Sequence, residues 1–248
     1  GDAFFSNPAA AAVQRKYTLN LGYGIEGKNM NASVIDMKSG RVGGGLSYQR
    51  QDLKNNSSKD PAFGGAKRLD QFFKLGLFTP ASEKLYVGTN VKYTIRDFED
   101  PALGKDKENW DFDLGALYIV NKDLSFGTVF KNVLQGDNVV EAQSIAVGGT
   151  YYFQTNISVS GQVEYLTDGQ DLAVQPSERM SWSVAAAYNF LEEYGVSAGY
   201  RSHPSFEQEL ISAGLKFQSE KYGVQYAFQY DLDGESTTNH SLGASFYF

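Results

Sequence analysis

Polar and apolar side chains alternate along most of the chain, beginning about fifteen residues from its first residue. The clearest example is the segment 222–232, YGVQYAFQYDL, in which aromatic and aliphatic residues occupy one set of alternate positions and Gly, Gln, Ala and Asp the other. Segments 16–26, 84–97 and 156–166 repeat the pattern. Because successive side chains of a strand point to opposite faces, this period of two predicts strands with one apolar and one polar face.

Runs of this kind recur along the whole chain and are separated by turn-forming residues. We predict fourteen strands, which span about 16–26, 28–37, 41–52, 67–78, 84–97, 108–120, 124–134, 142–153, 156–166, 178–190, 194–202, 207–218, 221–232 and 238–248. Strands of about ten residues with alternating hydrophobicity are typical of barrels that cross a membrane.

The connections between the predicted strands alternate in length. Every second one is short, namely 39–41, 79–83, 121–123, 154–155, 191–193 and 219–220. The others are mostly longer, at 53–66, 98–107, 135–141, 167–177 and 233–237, with short exceptions at Gly27 and 203–206. Outer-membrane barrels have short periplasmic turns and longer external loops. The alternation therefore predicts an all-β fold, a closed antiparallel up-and-down transmembrane β-barrel with both termini in the periplasm. A soluble β protein is the other class that fits two-faced strands.

A membrane fixes the direction in which the apolar faces point. The bilayer core offers backbone N–H and C=O groups no partner, so helices and closed barrels are the structures that cross it. The sequence has no apolar run long enough for a transmembrane helix. We therefore expect apolar faces to point outward, with girdles of aromatic side chains at the membrane surfaces. The candidates for these girdles are Trp110, Trp182, Tyr188, Phe190 and Tyr194.

The predicted lumen carries many charged side chains. The inward charges are Asp70, Lys92, Arg96, Asp111, Asp113, Lys131, Glu164, Arg201 and Lys216. Symmetric hairpins would arrange the first six as a charge ladder, with Asp70, Lys92, Asp113 and Lys131 paired in turn and Arg96 and Asp111 beside them. Opposite charges across strands contribute roughly 0.2–1 kcal/mol each. The ladder either neutralises a polar lumen or shapes a transverse field that orients a solute.

Fourteen strands enclose a lumen wider than the interior of an eight-stranded barrel, which side chains can fill. The obvious filler is the segment 1–15, GDAFFSNPAAAAVQR, which we predict to be a plug carrying Phe4 and Phe5. Asn7 is a candidate helix cap, with Pro8 at the first helical position and an Ala run behind it. The alternative is a disordered periplasmic tail. Residues 16–248 form the barrel in either case.

Both ends of the sequence resemble known outer-membrane proteins. The chain ends in SLGASFYF, and Phe246 and Phe248 resemble the C-terminal signal that the barrel assembly machinery reads. The segment Phe5–Ala10, FSNPAA, resembles the N-P-A signature of the long-chain fatty-acid transporter superfamily. This resemblance implies a fourteen-stranded barrel with an N-terminal hatch, here in a short member whose hatch is reduced. Relatives in that superfamily serve as transporters, scaffolds or secretion partners.

Composition and charge exclude several other classes of site. The absence of Cys removes disulfide scaffolds and cysteine metal centres. The formal net charge of -7 gives no electrostatic reason to bind nucleic acid. His203 and His240 are the two histidines, and Ser241, next to His240, would point to the opposite face of a strand. We therefore expect that the protein is not an enzyme and that it binds no metal ion and no cofactor.

The expected surroundings follow from the barrel prediction. The first residue is Gly, so we expect a mature protein of the bacterial outer membrane whose signal peptide has been removed. Its partners would be membrane lipids, and lipopolysaccharide near Lys54, Lys59, Lys67 and Arg68. By analogy with porins we also expect a homo-oligomer.

Two functions fit this sequence. The first is a porin-like channel or transport barrel for small or amphipathic, lipid-like solutes. The alternative is a structural, lipid-organising or assembly-scaffold barrel with a plugged lumen, which acts through lateral oligomer contacts. Outward small residues would favour the second, because flat patches let barrels pack closely.

Overall fold

The protein is described from a computed structural model. It describes residues 6–13, 16–26, 28–38, 40–53, 68–98, 106–134, 142–154, 156–167, 179–191, 193–204, 208–232 and 238–248. These contain a short helix α1 (Pro8–Ala11) and the strands β1 (Tyr17–Gly24), β2 (Asn29–Asp36), β3 (Gly43–Leu53), β4 (Arg68–Pro80), β5 (Leu85–Phe98), β6 (Lys107–Ile119), β7 (Leu124–Lys131), β8 (Ser144–Phe153), β9 (Ile157–Leu166), β10 (Met180–Phe190), β11 (Tyr194–His203), β12 (Gln208–Gln218), β13 (Tyr222–Asp231) and β14 (Thr238–Tyr247).

The fourteen strands form one closed antiparallel barrel, in which each strand pairs with its neighbours along the chain. β1 and β14 close the cylinder, with Leu21 opposite Ala244. The predicted fold class, strand number and strand order are confirmed, and the predicted bounds agree within three residues. The largest difference is at the end of β7, which stops at Lys131, whereas the sequence predicted residue 134. Asn132 has φ 56°, a left-handed conformation that ends the regular ladder.

Short and long connections alternate around the barrel, so its two ends differ. The connections 37–42, 81–84, 120–123, 154–156, 191–193 and 219–221 lie at one end, here called the turn end. The connections at the other end, here called the loop end, include 54–67, 99–106, 132–143 and 167–179. With an even number of strands, the start of β1 and the end of β14 both lie at the turn end.

The outer surface of the barrel is apolar. Outward side chains such as Leu46 and Leu215 are 62% and 59% exposed, which in water would be a large unfavourable patch. No described helix is long and apolar enough to span a bilayer. Outward apolar faces on closed, fully paired strands are the arrangement that a bilayer requires.

Aromatic rings border the apolar surface at both ends. At the turn end, Tyr188, Phe190 and Tyr194 stack in a row, with centroids 6.1 and 5.8 Å apart. At the loop end, Trp110 lies 4.7 Å from Tyr93, and Trp182 lies 5.1 Å from Tyr200. The five predicted girdle residues thus lie in two rows, one near each end of the barrel.

The last residues complete the closure. Phe246 faces outward on β14, and the backbone N–H of Phe248 donates to the carbonyl of Tyr17 at 3.0 Å. The rings of Tyr17 and Phe248 meet edge to face at 5.7 Å. Phe246 and Phe248 therefore lie on the outer side of the seam, whereas Tyr247 between them points into the lumen.

Candidate functional site in the barrel lumen

The N-terminal segment lies inside the barrel at the turn end and is held by Asn7. The Asn7 side chain caps α1 by accepting a hydrogen bond from the Ala9 N–H at 3.0 Å, and Pro8 occupies the first helical position. Its Nδ2 donates to the backbone carbonyls of Ala116 and Thr128, each at 3.2 Å. One side chain therefore fixes the helix start and ties it to β6 and β7. The predicted cap is confirmed, whereas Phe4 and Phe5 lie outside the described residues.

Three inward glycines form the surface on which this segment rests, and we call them the glycine cradle: Gly88, Gly115 and Gly127. A Cβ at Gly88 would lie 2.7 Å from the carbonyl carbon of Pro8, and one at Gly115 would lie 2.3 Å from Asn7 Oδ1. A Cβ at Gly127 would lie 3.2 Å from Asn7 Nδ2. At Gly88 and Gly115 such separations leave no room for a side chain, whereas at Gly127 the neighbouring atom would have to shift by a few tenths of an ångström. The sequence analysis did not single out these positions.

Apolar packing completes the docking of the segment. Ala11 and Ala12 are buried against Ile35, Met37 and Phe78, which point inward at the turn end of β2 and β4. This is a small hydrophobic core inside the lumen, and it closes one side of the barrel at that end. The short side chains of Ala9, Ala10 and Ala11 let the helix backbone lie close to the wall.

Closer to the loop end, the lumen beside β4 and β5 is occupied by a buried ion cluster. The carboxylate of Asp70 accepts hydrogen bonds from Arg96 Nη2 at 2.8 Å and Arg96 Nε at 2.9 Å. It also accepts one from Arg68 Nε at 3.0 Å. Asp70 is 1% exposed. The prediction that Asp70 opposes Lys92 was wrong, because β4 and β5 pair Asp70 with Arg96. Arg68, predicted beside lipopolysaccharide, points into the lumen.

The next cluster joins β5 and β6 to the chain that follows β7. Lys92 lies opposite Asp111, two positions from the predicted Asp113, yet its ammonium forms its ion pair with Asp113 at 3.1 Å. Lys92 also donates to Asn132 Oδ1. Asp113 accepts the backbone N–H of Asn132 at 3.1 Å, and Asp111 accepts that of Leu134 at 2.9 Å. These carboxylates therefore anchor the base of the connection 132–143.

The remaining predicted charges lie apart from this cluster. β6 and β7 have the predicted register, but Lys131 forms its ion pair with Glu164 at 2.7 Å, and Glu164 also accepts from Ser144. Arg201 is close enough to Glu164 to interact electrostatically with it. Lys216 lies near the turn end of β12, far along the barrel from the other charges. The six residues of the predicted ladder are thus divided among three groups, and Lys216, which was predicted in the lumen outside the ladder, lies apart from them.

The two sides of the lumen differ in what covers the inward side chains. On β2–β7, here called the filled side, Asn90, Lys92 and Asp113 are 0%, 2% and 4% exposed. On β9–β13, here called the open side, eight inward side chains are exposed although they lie within a closed barrel, and most of the others are partly exposed. The exposed inward residues of the open side are Gln162, Ala185, Ser197, Arg201, Lys216, Gln218, Gln225 and Gln229.

A cavity of about 230 Å³ marks the border between the N-terminal segment and the open side. Its lining includes Asn7 and Gly127 on one side and Ser160, Gln162 and Ser183 on the other. The open side therefore offers hydroxyl and amide groups to the cavity beside the N-terminal segment.

The described residues hold no group of three or more His, Cys, Asp or Glu side chains able to bind a metal ion. His240 faces outward, where its Nδ1 lies 2.6 Å from the Tyr226 hydroxyl, and His203 lies at the loop end of β11 near Arg201. The two histidines are thus on different faces of the barrel wall.

Comparison with known proteins adds to this geometry. No family model and no curated protein matches the sequence. Solved structures do match: the Pseudomonas putida toluene transporter TodX has a TM-score of 0.74 at 12% identity, over 100% of this chain and 93% of that one. The chain shares its fold with toluene transporters.

Two further structures give the same result. The Ralstonia pickettii toluene transporter TbuX has a TM-score of 0.72 at 13% identity, over 99% of this chain and 93% of that one. A Pseudomonas aeruginosa FadL homologue has a TM-score of 0.65 at 12% identity, over 98% and 93%. The predicted resemblance to the fatty-acid transporter superfamily is confirmed at the level of fold. Porins are among the weaker matches.

Proposed function

We propose that the protein is an outer-membrane channel through which small polar or amphipathic solutes pass along the open side of the lumen. In this proposal the turn end faces the periplasm, as short turns do in outer-membrane barrels. The structural neighbours are transporter barrels and porins, and two of them are toluene transporters. That supports passive transport in general. The hydroxyl and amide lining of this chain supports solutes more polar than toluene.

The observation that carries the proposal is the exposure of inward side chains on the open side. A lumen filled by protein would bury them, as it buries Asn90 and Lys92 on the filled side. Instead Gln162, Ser197 and Gln225 are exposed to the space within the barrel. Fourteen strands give enough width for both a plug and a water-filled path.

The charged clusters have a structural role in this proposal. Asp70, Asp111 and Asp113 already use their oxygens to bind Arg96, Lys92 and the backbone of 132–134. Groups engaged in this way hold the wall and the base of a loop, and they have little capacity left to orient a solute. This favours the neutralising interpretation of the inward charges over the transverse field.

The channel is tested by single-cysteine blocking, since the chain has no native Cys. Ser183→Cys places a thiol at the cavity lining, and Val184→Cys places one on the outward face of the same strand. In planar bilayers, a bulky thiol-reactive reagent should reduce the current through Ser183→Cys and leave Val184→Cys unchanged. Absence of current from the unmodified protein, or equal block of both variants, would contradict the channel.

One observation favours the scaffold alternative. The outer wall of β1–β6 has a depression of about 540 Å³, lined mainly by apolar side chains such as Leu19, Val34, Leu46 and Leu75. A concave apolar surface suits a neighbouring barrel or lipid. Outward Gly149, in contrast, offers no flat patch, because Phe126 carbons lie 3.0 and 3.1 Å from where its Cβ would be. Disulfide crosslinking of Val34→Cys between barrels would be the sign of such an assembly.

A further inference from the structure

A second cavity lies inside the barrel at the turn end, between the N-terminal segment and the strands β12–β14. It has a volume of about 450 Å³. Val13 and Lys16 line it on one side, and Lys216, Gln225 and Tyr247 line it on the other. No Asp or Glu is among its described lining residues. The cavity therefore combines two ammonium groups with amide and hydroxyl groups and has no carboxylate to neutralise them.

Both lysines lack an acidic partner in the described part of the chain. The described ion pairs involve Arg68, Lys92, Arg96, Lys131 and His240. Neither Lys16 nor Lys216 takes part in any of them, and both side chains are exposed to the lumen. This contrasts with Arg68, Lys92 and Arg96 on the filled side, which are paired with carboxylates. Two unpaired cations facing one confined space attract an anion.

The wall holds these cations toward the cavity. Lys16 Nζ lies 5.2 Å from the centroid of the Tyr247 ring, which is within the range of a cation–π contact. Gly195 gives space to the other lysine, because a Cβ there would lie 3.3 Å from Lys216 Cε. A Cβ at Gly243 would lie 2.8 Å from the amide nitrogen of Gln225. Glycines thus let Lys216 and Gln225 lie along the wall.

We propose that this cavity binds a small hydrophilic anion through its carboxylate or phosphate group, with Lys16 and Lys216 as the charged contacts. Gln225 adds an amide donor beside them, and Tyr247 positions Lys16. This inference rests on the proposed channel, because it states the charge of the solute that passes through it. A site of this kind would make the turn end of the lumen selective for anions. Acetate and inorganic phosphate are the two simplest probes, and they distinguish which group is bound.

The first experiment measures binding and needs no conduction. Full-length protein in detergent is titrated calorimetrically with sodium acetate and with sodium phosphate, and with glycerol as an uncharged probe. Lys216→Gln and Lys16→Gln should each weaken anion binding by roughly fivefold, the effect of losing one solvated ion pair. Lys122→Gln is the matched control, because Lys122 is an exposed lysine in the turn 120–123 at the same end and does not line the cavity. The Lys122→Gln variant should bind acetate and phosphate with the same affinity as the unmodified protein.

The second experiment measures the reversal potential in a potassium chloride gradient across a planar bilayer. The unmodified protein and Lys122→Gln should be anion-selective, and the double variant of Lys16 and Lys216 should lose that selectivity. Equal anion affinity in Lys216→Gln and Lys122→Gln, or selectivity unchanged in the double variant, would overturn the proposal. Anion binding that is lost in Lys216→Gln, in a protein that carries no current, would support the site and contradict the channel.

Discussion

The filled and open sides of this barrel are built from the same kind of strand, yet their inward side chains differ in size and in exposure. Many inward residues of the filled side are large or charged, such as Phe72, Phe78 and Arg96, and these three are buried. Those of the open side are small and neutral in the middle of the strands, such as Ser160, Ser197 and Ser212. Large inward side chains meet each other and the plug, whereas small ones leave a path. The lumen is therefore divided along its length by side-chain size.

Glycine shows the same contrast. On the filled side, Gly88 and Gly115 are covered by Pro8 and Asn7, so missing side chains admit another part of the chain. On the open side, Gly199 and Gly214 face neighbouring serine hydroxyls. Inward glycines on the filled side form a docking surface for the N-terminal segment. Those on the open side leave space for the side chains of neighbouring strands.

The largest difference between the sides is expected from removing one carboxylate from each. Asp70→Asn removes the carboxylate that pairs with Arg96, whose side chain is 8% exposed. Breaking a buried pair in this way costs about 3–5 kcal/mol. Glu164→Gln, at the border of the open side, leaves Lys131, whose side chain is 26% exposed and reaches water. That loss should be about 1 kcal/mol or less. Urea unfolding in lipid vesicles, followed by tryptophan fluorescence, gives the free energy of unfolding of both variants. An equal loss of stability in Asp70→Asn and Glu164→Gln would contradict the division into two sides.

A smaller effect is expected from crowding the glycine cradle. In Gly88→Ala the new methyl would lie 2.7 and 2.8 Å from backbone atoms of Pro8 and Ala9, which cannot rotate away. Docking of the segment should weaken by about 1–3 kcal/mol, the usual cost of overpacking. Hydrogen exchange of the Ala9–Ala12 amides measures this. Gly24→Ala is the control, since its nearest neighbour would be at 3.4 Å, and similar exchange in both variants would count against the cradle.

Asn7 allows the cap and the wall contact to be separated. Asn7→Asp keeps an acceptor for the Ala9 N–H but cannot donate to the carbonyls of Ala116 and Thr128. Asn7→Ala loses both functions. We expect each variant to weaken the docking of α1 against the wall by about 1 kcal/mol or slightly more, and α1 should dock less stably in the alanine variant than in the aspartate variant. Amide exchange in α1 gives the order, and an aspartate variant that docks like the unmodified chain would exclude a role for the donated bonds.

The smallest effect is expected at the loop end of the seam between β1 and β14. The backbone N–H of His240 donates to Glu26 at 2.5 Å and lowers the pKa of that carboxyl below its ordinary 4.5. The contact therefore stabilises the seam above pH 4.5 and is lost as the pH falls through the lowered pKa. The protection factor of the His240 amide, which is the exchange rate of an unstructured peptide at the same pH divided by the measured rate, should fall over that acid range in the unmodified protein. Glu26→Gln should remove this fall, and a fall that persists in the variant would show that another group is responsible.

The sequence by itself determined the strands, their faces and the order of short and long connections. These features are local, because a period of two and a cluster of turn residues can be recognised without knowing what lies opposite. The Asn7 cap and the position of Pro8 were recognisable for the same reason.

Only the tertiary structure decided the register and the division of the lumen. A symmetric turn at 79–83 predicts Asp70 opposite Lys92, but Thr79 and Pro80 still pair with Val87 and Tyr86, so the turn is centred further along the chain. Across long connections no local rule fixes the register, so packing decides it. The glycine cradle likewise has meaning only through Asn7, which lies 109 residues from Ala116 in the chain. Which side of the barrel is filled depends on where that distant segment docks.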